Sequence, residues 1–371
     1  MRRVIGLIIL SIILSLSTIG CTKKLGGGEG ITVGPVPAEY KKAVPEGLRG
    51  EIKEYSYPVW NYLNSSGQLV TDQDISSEEA GRETVQGEPI EKKCKVYLPA
   101  GYDENDQRKY NVLYLLHGIG GNRNEWLGDN GKVDGNYVIC NILDNLIANG
   151  EIEPLIVVFP EGRSCKDWEN RAMSIGQINV LGFYYFDYEL RYDLIPFIEA
   201  NFNTYANIED ESPAAIADNR QHRAIAGLSM GGMQALNLTF GGYRFEGFTP
   251  TVPTPGMQDL FAYVGAFSNA PTTSAGEILG ANIAASGYVT DLLYLTCGTS
   301  DGTAYSSYET AINGLSEAAG ENLHHLYKVL IRGGQHNFDV WNNGAYNFVR
   351  LCFGKLEGSE KTVVETTLNE F

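Results

Sequence analysis

The chain has 371 residues, of which 43% are hydrophobic and 20% are charged, so it is long enough to bury a large core within one α/β domain. Its formal net charge of -17 argues against nucleic acid as a partner, because phosphate backbones bind basic surfaces. The same charge suits a secreted protein or a neutral substrate such as a glycan, and does not distinguish between them.

Residues 1–21 have the pattern of an export signal. They begin with Met1-Arg2-Arg3, continue with an apolar run and end at Gly20-Cys21, which is the order found in signal peptides. A small residue before a cysteine also resembles a bacterial lipoprotein cleavage site, although Thr18 stands where leucine is usual. We therefore expect Cys21 to be lipidated and the chain to lie outside the cytoplasm, anchored to the cell membrane. A plain signal peptide would instead give a secreted protein.

Composition divides the remaining chain into three parts. Residues 22–45 contain a triple glycine and three prolines, and such a segment buries too little apolar surface to order itself, so a flexible linker is expected. Residues 46–358 are expected to form the folded domain. Residues 359–371 are expected to form a polar, frayed C-terminal tail.

Apolar runs alternate with helical patterns along the presumed domain. The runs are nearly continuous, which is typical of parallel strands buried on both faces, and they lie at 94–98, 112–116, 155–159, 224–228, 262–267, 292–297 and 326–331. Helical patterns occur at 137–149, 186–202, 230–239, 305–319 and 345–351. This alternation predicts an α/β fold with a mostly parallel central sheet covered by helices on both faces.

Two segments fit no element well. Residues 61–90 are polar and precede the first confident strand, so they form either a hairpin or a surface loop. Residues 240–258 are rich in Gly, Pro and Thr. They are either a solvated connector or a loop that borders the active site.

The sequence Gly227-Leu-Ser-Met-Gly231 reads G-x-S-x-G and lies between a predicted strand and a predicted helix. A sharp strand-to-helix turn holds a serine hydroxyl exposed, and small glycines on either side let the chain bend. The motif alone is common by chance. In this context it makes Ser229 the candidate nucleophile.

A serine nucleophile needs a base and a carboxylate that orients the base. His336 follows the last predicted strand in a glycine-rich loop, at the strand end where α/β sheets place their sites. Asp301 follows strand 292–297, and the order Ser229, Asp301, His336 is the one known for nucleophile elbows of this kind. His324 and His325 are expected at the surface or in a turn. Weaker candidates for the carboxylate, by position, are Asp291, Asp339 and Glu309.

The developing oxyanion needs two backbone N–H donors. Met230, directly after Ser229, should supply one. The other should come from the glycine-rich loop 117–121, where Ile119 is the preferred donor and the glycines on either side of it remain alternatives. His117 is expected to hydrogen-bond this loop rather than to act in catalysis.

Metal and cofactor motifs are missing from the sequence. It contains no H-E-x-x-H, no phosphate-binding loop and no G-x-G-x-x-G after the first strand, which are the usual signatures of zinc and nucleotide sites. We therefore expect neither a metal nor a cofactor.

Four segments in this order resemble those of a known family: Leu115-Leu-His-Gly-Ile-Gly-Gly-Asn122, Asp144-Asn-Leu-Ile-Ala-Asn-Gly150, His222-Arg-Ala-Ile-Ala-Gly-Leu-Ser-Met-Gly-Gly232 and Gly334-Gln-His-Asn-Phe-Asp-Val-Trp341. Over roughly residues 97–353 the chain resembles the esterase D-like α/β-hydrolases of carbohydrate esterase family one, most closely the feruloyl esterase modules of clostridial xylanases.

The resemblance implies a serine carboxylic-ester hydrolase that uses Ser229, Asp301 and His336 in an acyl-enzyme mechanism. It also implies plant cell-wall ester substrates such as feruloylated xylan. Acetyl xylan esterase, or another esterase or thioesterase of the family, is the alternative among enzymes. A glycan-binding surface lipoprotein is the alternative outside enzymes. The sequence does not indicate an oligomeric state.

Overall fold

The computed structural model describes residues 32–63, 88–128, 137–174, 176–246, 249–250, 256–356 and 360–369. The expectations for the export signal, for lipidation of Cys21 and for residues 64–87 concern parts of the chain outside these ranges.

A nine-stranded sheet in the order β1-β2-β4-β3-β5-β8-β9-β10-β11 forms the centre of the fold. From β4 to β11 every neighbouring pair is parallel, whereas β1 pairs with β2, and β2 with β4, in antiparallel fashion. The predicted α/β fold with a mostly parallel sheet is therefore confirmed. The strands are β1 (Glu51–Asn61), β2 (Glu88–Leu98), β3 (Asn111–Leu116), β4 (Leu155–Phe159), β5 (Arg223–Leu228), β8 (Tyr263–Phe267), β9 (Thr290–Gly298), β10 (Leu323–Ile331) and β11 (Thr362–Leu368).

Helices cover both faces of this sheet, because successive residues of each buried strand point to opposite sides. Along β5, Ile225 belongs to one cluster of buried side chains and Ala224 and Ala226 belong to the other. The helices are α1 (Val138–Ala148), α2 (Ile178–Leu181), α3 (Phe186–Glu189), α4 (Ile195–Asn201), α5 (Pro213–Asn219), α6 (Met230–Phe240), α7 (Gly276–Ala285), α8 (Tyr305–Ile312), α9 (Leu315–Ala319) and α10 (Phe338–Leu351).

Two predicted helices are divided in the structure. The predicted helix 186–202 consists of α3, a π-helical turn at Leu190–Leu194 and α4. The predicted helix 305–319 is interrupted between α8 and α9 at Gly314, whose φ of 68° is left-handed. Among the described residues, no helix combines the length and apolarity needed to cross a membrane.

Residues 32–45 pack against the domain, so the flexible linker predicted for 22–45 does not extend through them. Val36 is buried. The Gly34 N–H donates to Asn347 Oδ1 at 3.0 Å, and Asn347 Nδ2 donates back to Gly34 O at 2.8 Å. Asn141 Nδ2 donates to Lys41 O at 3.0 Å. These amide side chains satisfy the backbone of a segment that forms little secondary structure of its own.

The C-terminal residues differ from the expected frayed tail 359–371, because Thr362–Leu368 form β11 at one edge of the sheet. The Arg332 N–H donates to Leu368 O at 2.8 Å and extends this pairing. His324 and His325, expected at the surface or in a turn, are not in a turn, and His325 is not at the surface. Both residues lie in β10, and His325 is buried opposite Thr362.

The opposite edge of the sheet is the antiparallel pair β1–β2, whose facing ends flank residues 64–87. The residues at the two ends of segment 61–90 are therefore paired as in a hairpin, which is one of the two forms expected for this segment. Within 240–258, β6 (Phe245–Glu246) and β7 (Thr249–Pro250) form a separate two-stranded antiparallel pair.

Candidate active site

The side chains of Ser229, His336 and Asp301 meet at the carboxyl ends of the parallel strands. Each residue lies just beyond the end of its strand. His336 Nε2 lies 3.0 Å from Ser229 Oγ, and His336 Nδ1 lies 2.9 Å from Asp301 Oδ2. The structure therefore brings together the three residues that chain order and strand ends had indicated. A hydroxyl, an imidazole and a carboxylate in this order can transfer a proton from the hydroxyl to the imidazole.

Ser229 occupies a strained turn between β5 and α6, with φ 53° and ψ -115°. The glycines on either side are required by close packing. A Cβ at Gly227 would lie 2.5 Å from the backbone of Gly231, and a Cβ at Gly231 would lie 2.6 Å from the carbonyl oxygen of His117. The turn is therefore possible because neither position carries a side chain.

Asp301 is buried and its two carboxylate oxygens have different partners. Oδ1 accepts the Thr303 and Ala304 N–H groups at 3.0 and 2.9 Å, while Oδ2 faces His336. Burial on its own would raise the pKa of Asp301, but hydrogen bonds to the carboxylate, of which that from His336 contributes most, hold the pKa below its usual value. An ionised carboxylate accepts a hydrogen bond from the Nδ1–H group of His336, which leaves the Nε2 lone pair facing Ser229.

The glycine-rich loop 117–121 lies beside the serine, since a Cβ at Gly118 would be 3.3 Å from Ser229 Cβ. The Gly118 N–H donates to Glu125 Oε2 at 2.6 Å. Gly118 is therefore engaged and is a poor candidate for the second oxyanion donor. The Ile119 and Gly120 N–H groups meet no acceptor among the described residues.

Met230 is the first residue of α6, and the first N–H groups of a helix have no intrahelical partner. The Met230 N–H meets no acceptor in the part of the chain that the structure describes. Ile119 and Met230, the predicted oxyanion donors, thus both have free N–H groups near Ser229. Their role stays a prediction.

His117 is fully buried against the same loop. Its Nδ1 lies 2.7 Å from Gly118 O and its Nε2 lies 2.5 Å from Glu161 O. Burial and the nearby Arg163 lower the pKa of His117 to about 3. Both ring nitrogens face backbone carbonyls, which fits a residue that holds the loop.

Aromatic side chains support the base. The rings of His336 and Trp341 are in edge-to-face contact with centroids 5.1 Å apart, and Trp341 makes a similar contact with Phe338 at 4.9 Å. Trp126 packs on Phe338 and donates its indole N–H to Leu116 O at 3.0 Å. Trp341 thus packs against the imidazole, and Phe338 and Trp126 continue the aromatic cluster beyond it.

Two charged residues at this site were missed from the sequence, Glu125 and Arg163. Arg163 is fully buried and donates to Ile119 O and Gly121 O. Neither residue belongs to a motif with diagnostic spacing. The sequence signal that could have identified Arg163 is its position a few residues after the buried strand β4, at the carboxyl ends of the strands, where the catalytic loops lie. No group of three His, Cys, Asp or Glu residues within the described ranges is arranged to hold a metal ion.

Residues 89–247, which include the serine turn, match the model of the esterase family, described as "Putative esterase". The match covers less than half of the chain. The matched part contains Ser229 and the loop 117–121, whereas Asp301 and His336 lie beyond it.

Two curated relatives of this chain are larger proteins, of which the chain spans less than a fifth. It is 41% identical over 158 residues to endo-1,4-beta-xylanase Y of Acetivibrio thermocellus. It is 37% identical over 149 residues to an endo-1,4-beta-xylanase/feruloyl esterase of Xylanibacter ruminicola. The matches cover 42% and 39% of this chain but 12% and 17% of those proteins.

Two solved structures share the fold over most of this chain. One is a serine-to-alanine mutant of the feruloyl esterase module from Clostridium thermocellum complexed with sinapinate, with a TM-score of 0.61 and 24% identity, covering 90% of this chain and 98% of that one. The other is a ferulic acid esterase from Anaeromyces mucronatus in complex with ferulic acid, with a TM-score of 0.60 and 21% identity, covering 88% and 100%.

Proposed function

We propose that the protein is a serine carboxylic-ester hydrolase that acts on plant cell-wall esters, with feruloyl esters as the principal substrates. The observation that carries the proposal is the contact chain from Ser229 through His336 to Asp301, beside a loop with free N–H groups. The feruloyl substrate is supported by the two similar solved structures, which are complexes with sinapinate and with ferulic acid.

In the proposed mechanism, His336 Nε2 accepts the Ser229 hydroxyl proton while the serine oxygen attacks the ester carbonyl. Asp301 stabilises the imidazolium that forms. The N–H groups of Met230 and Ile119 donate to the oxyanion, and loss of one such donor typically lowers kcat by about 10²–10³-fold. His336 then protonates the leaving alcohol. Water, deprotonated by the same imidazole, hydrolyses the acyl-enzyme and releases the acid.

The test is Ser229→Ala assayed with methyl ferulate. We expect kcat to fall by about 10⁴-fold or more, since without the nucleophile only the oxyanion site and substrate binding remain. The matched control is Ser306→Ala, which replaces an exposed serine on α8 and should retain wild-type kcat. Hydrolysis by the Ser229 variant at the wild-type rate would exclude the mechanism.

The acyl group is tested separately, by comparing kcat/KM for methyl ferulate and for acetylated xylan with the wild-type enzyme. A higher value for methyl ferulate supports a feruloyl esterase. A higher value for acetylated xylan identifies an acetyl xylan esterase with the same catalytic residues. Binding of xylan without turnover of any ester would favour the glycan-binding alternative.

A further inference from the structure

Arg163 makes contacts that the proposed chemistry does not yet explain. Its side chain is fully buried, and its guanidinium carbon lies 4.9 Å from the centre of the Phe183 ring. Nη2 donates to two carbonyl oxygens of the oxyanion loop, Ile119 O at 2.9 Å and Gly121 O at 2.7 Å. One nitrogen thus bridges two carbonyls that lie two residues apart.

These contacts determine which way the loop amides point. In a trans peptide unit the carbonyl of one residue and the N–H of the next point in opposite directions. Because Arg163 holds Ile119 O, the Gly120 N–H of the same unit points away from the guanidinium. Arg171 Nε donates to Gly120 O at 2.7 Å and orients the following unit in the same way.

The peptide unit that carries the Ile119 N–H is held indirectly. Its carbonyl, Gly118 O, accepts the Gly121 N–H at 3.1 Å and lies 2.7 Å from His117 Nδ1. Gly121 is itself held by Arg163 through its carbonyl. Movement of Arg163 would therefore disturb both free N–H groups of the loop, at Ile119 and at Gly120.

The burial of Arg163 is poorly compensated. Its Nε and Nη1 atoms meet no hydrogen-bond acceptor among the described residues, and Nη1 lies 3.5 Å from Glu161 Oε2. A buried charge with unsatisfied donors destabilises a fold. Arg220 differs, because its buried guanidinium donates to three carbonyls and lies over the Tyr288 ring, at a distance of 5.3 Å.

We propose that Arg163 is a positioning residue for ester hydrolysis, which holds the loop 117–121 so that the Ile119 and Gly120 N–H groups face the tetrahedral intermediate. The inference rests on the proposed esterase function. It adds Gly120 as a second donor from this loop and assigns the preorganisation of the oxyanion site to a buried arginine. Donors that are already oriented stabilise developing charge without reorganisation in the transition state.

The test compares Arg163→Lys with Arg220→Lys, which replaces a similarly buried arginine just before the start of β5, at the end of the strands opposite the candidate site. An ammonium group lacks the planar fork of a guanidinium, so both variants should lose stability in urea unfolding. We expect Arg163→Lys to lower kcat by about 10–100-fold and to leave KM within about threefold. Arg220→Lys should retain wild-type kcat.

The affinity for an aryl boronic acid inhibitor reports on the oxyanion site itself. A general loss of rigidity would not lower this affinity selectively. The boron adduct of Ser229 is tetrahedral and places an oxygen at the oxyanion site, so its affinity should fall with kcat in Arg163→Lys. Arg171→Gln, at an exposed position, tests the same loop without a folding defect and should lower kcat by a smaller factor.

The inference is wrong if Arg163→Lys and Arg171→Gln both retain wild-type kcat and boronate affinity. It is also wrong if Arg163→Lys and Arg220→Lys lower kcat equally, because the effect is then general loosening. Absence of Ser229-dependent hydrolysis in the wild-type protein is a different outcome. It would overturn the proposed function first, and the inference with it.

Discussion

Replacing Asp301 by asparagine should reverse the hydrogen-bonding direction at the base. The carboxylate oxygen that accepts the Thr303 and Ala304 N–H groups can be replaced only by the amide oxygen, because an amide NH₂ there would face two donors. The amide NH₂ then faces His336 Nδ1, now 2.9 Å from Asp301 Oδ2. It donates to that nitrogen, and the ring proton moves to Nε2, where it faces Ser229.

A base with its proton on Nε2 cannot accept the serine proton. Loss of the correct tautomer typically lowers kcat by about 10⁴-fold, which corresponds to about 5.5 kcal/mol of transition-state stabilisation at about 1.4 kcal/mol per factor of ten. The measurement is kcat for methyl ferulate at neutral pH, with urea unfolding to show that Asp301→Asn remains folded. The control is Asp339→Asn, an exposed carboxylate three residues beyond His336, which should change kcat less than about twofold. An Asp301→Asn enzyme within tenfold of wild type would refute the tautomer argument.

Two further predictions concern stability. Gly227→Ala should lower the free energy of unfolding by about 1–3 kcal/mol through overpacking, because its Cβ would lie 2.5 Å from the backbone of Gly231. Gly47→Ala, where a Cβ meets open space, should change it by less than about 0.5 kcal/mol, and equal losses in urea unfolding would contradict the crowding argument. Asp193 accepts a hydrogen bond from the Tyr62 hydroxyl, and burial raises the pKa of the Asp193 carboxyl to about 7. The folded state therefore binds the carboxyl proton of Asp193 more tightly than the unfolded chain does. This contribution to stability is complete below the unfolded pKa near 4 and is lost as the pH rises through about 7. Asp193→Asn should therefore reduce the fall in urea midpoint between about pH 5 and pH 8, and an unchanged pH profile would count against the assignment.

The central strands could be predicted because burial on both faces demands continuous apolar sequence. Every residue of β5 is buried, and β4 is buried throughout. The edge strands gave no such signal. β1 alternates exposed and buried positions and contains Pro58, and most of β11 is half-buried. An edge strand packs on one side and faces water on the other, so its sequence resembles that of a polar loop.

The site was predictable where chemistry requires a particular side chain at a strand end. Ser229, Asp301 and His336 each follow a buried strand, and their order along the chain narrowed the choice. Arg163 could not be found in this way, because it contacts backbone carbonyls, which any residue provides. The docking of residues 32–45 was also hidden, since it depends on amides such as Asn347, more than 300 positions away along the chain.

The backbone of Ser229 has a consequence for how the enzyme can change over generations. A non-glycine residue at φ 53° and ψ -115° carries strain of about 1–3 kcal/mol, which glycine would relieve. The most stable version of this turn therefore lacks the nucleophile. Catalysis and stability make opposing demands at this one position, so in a lineage that no longer needs ester hydrolysis, substitution of the serine is among the first changes that would make the fold more robust.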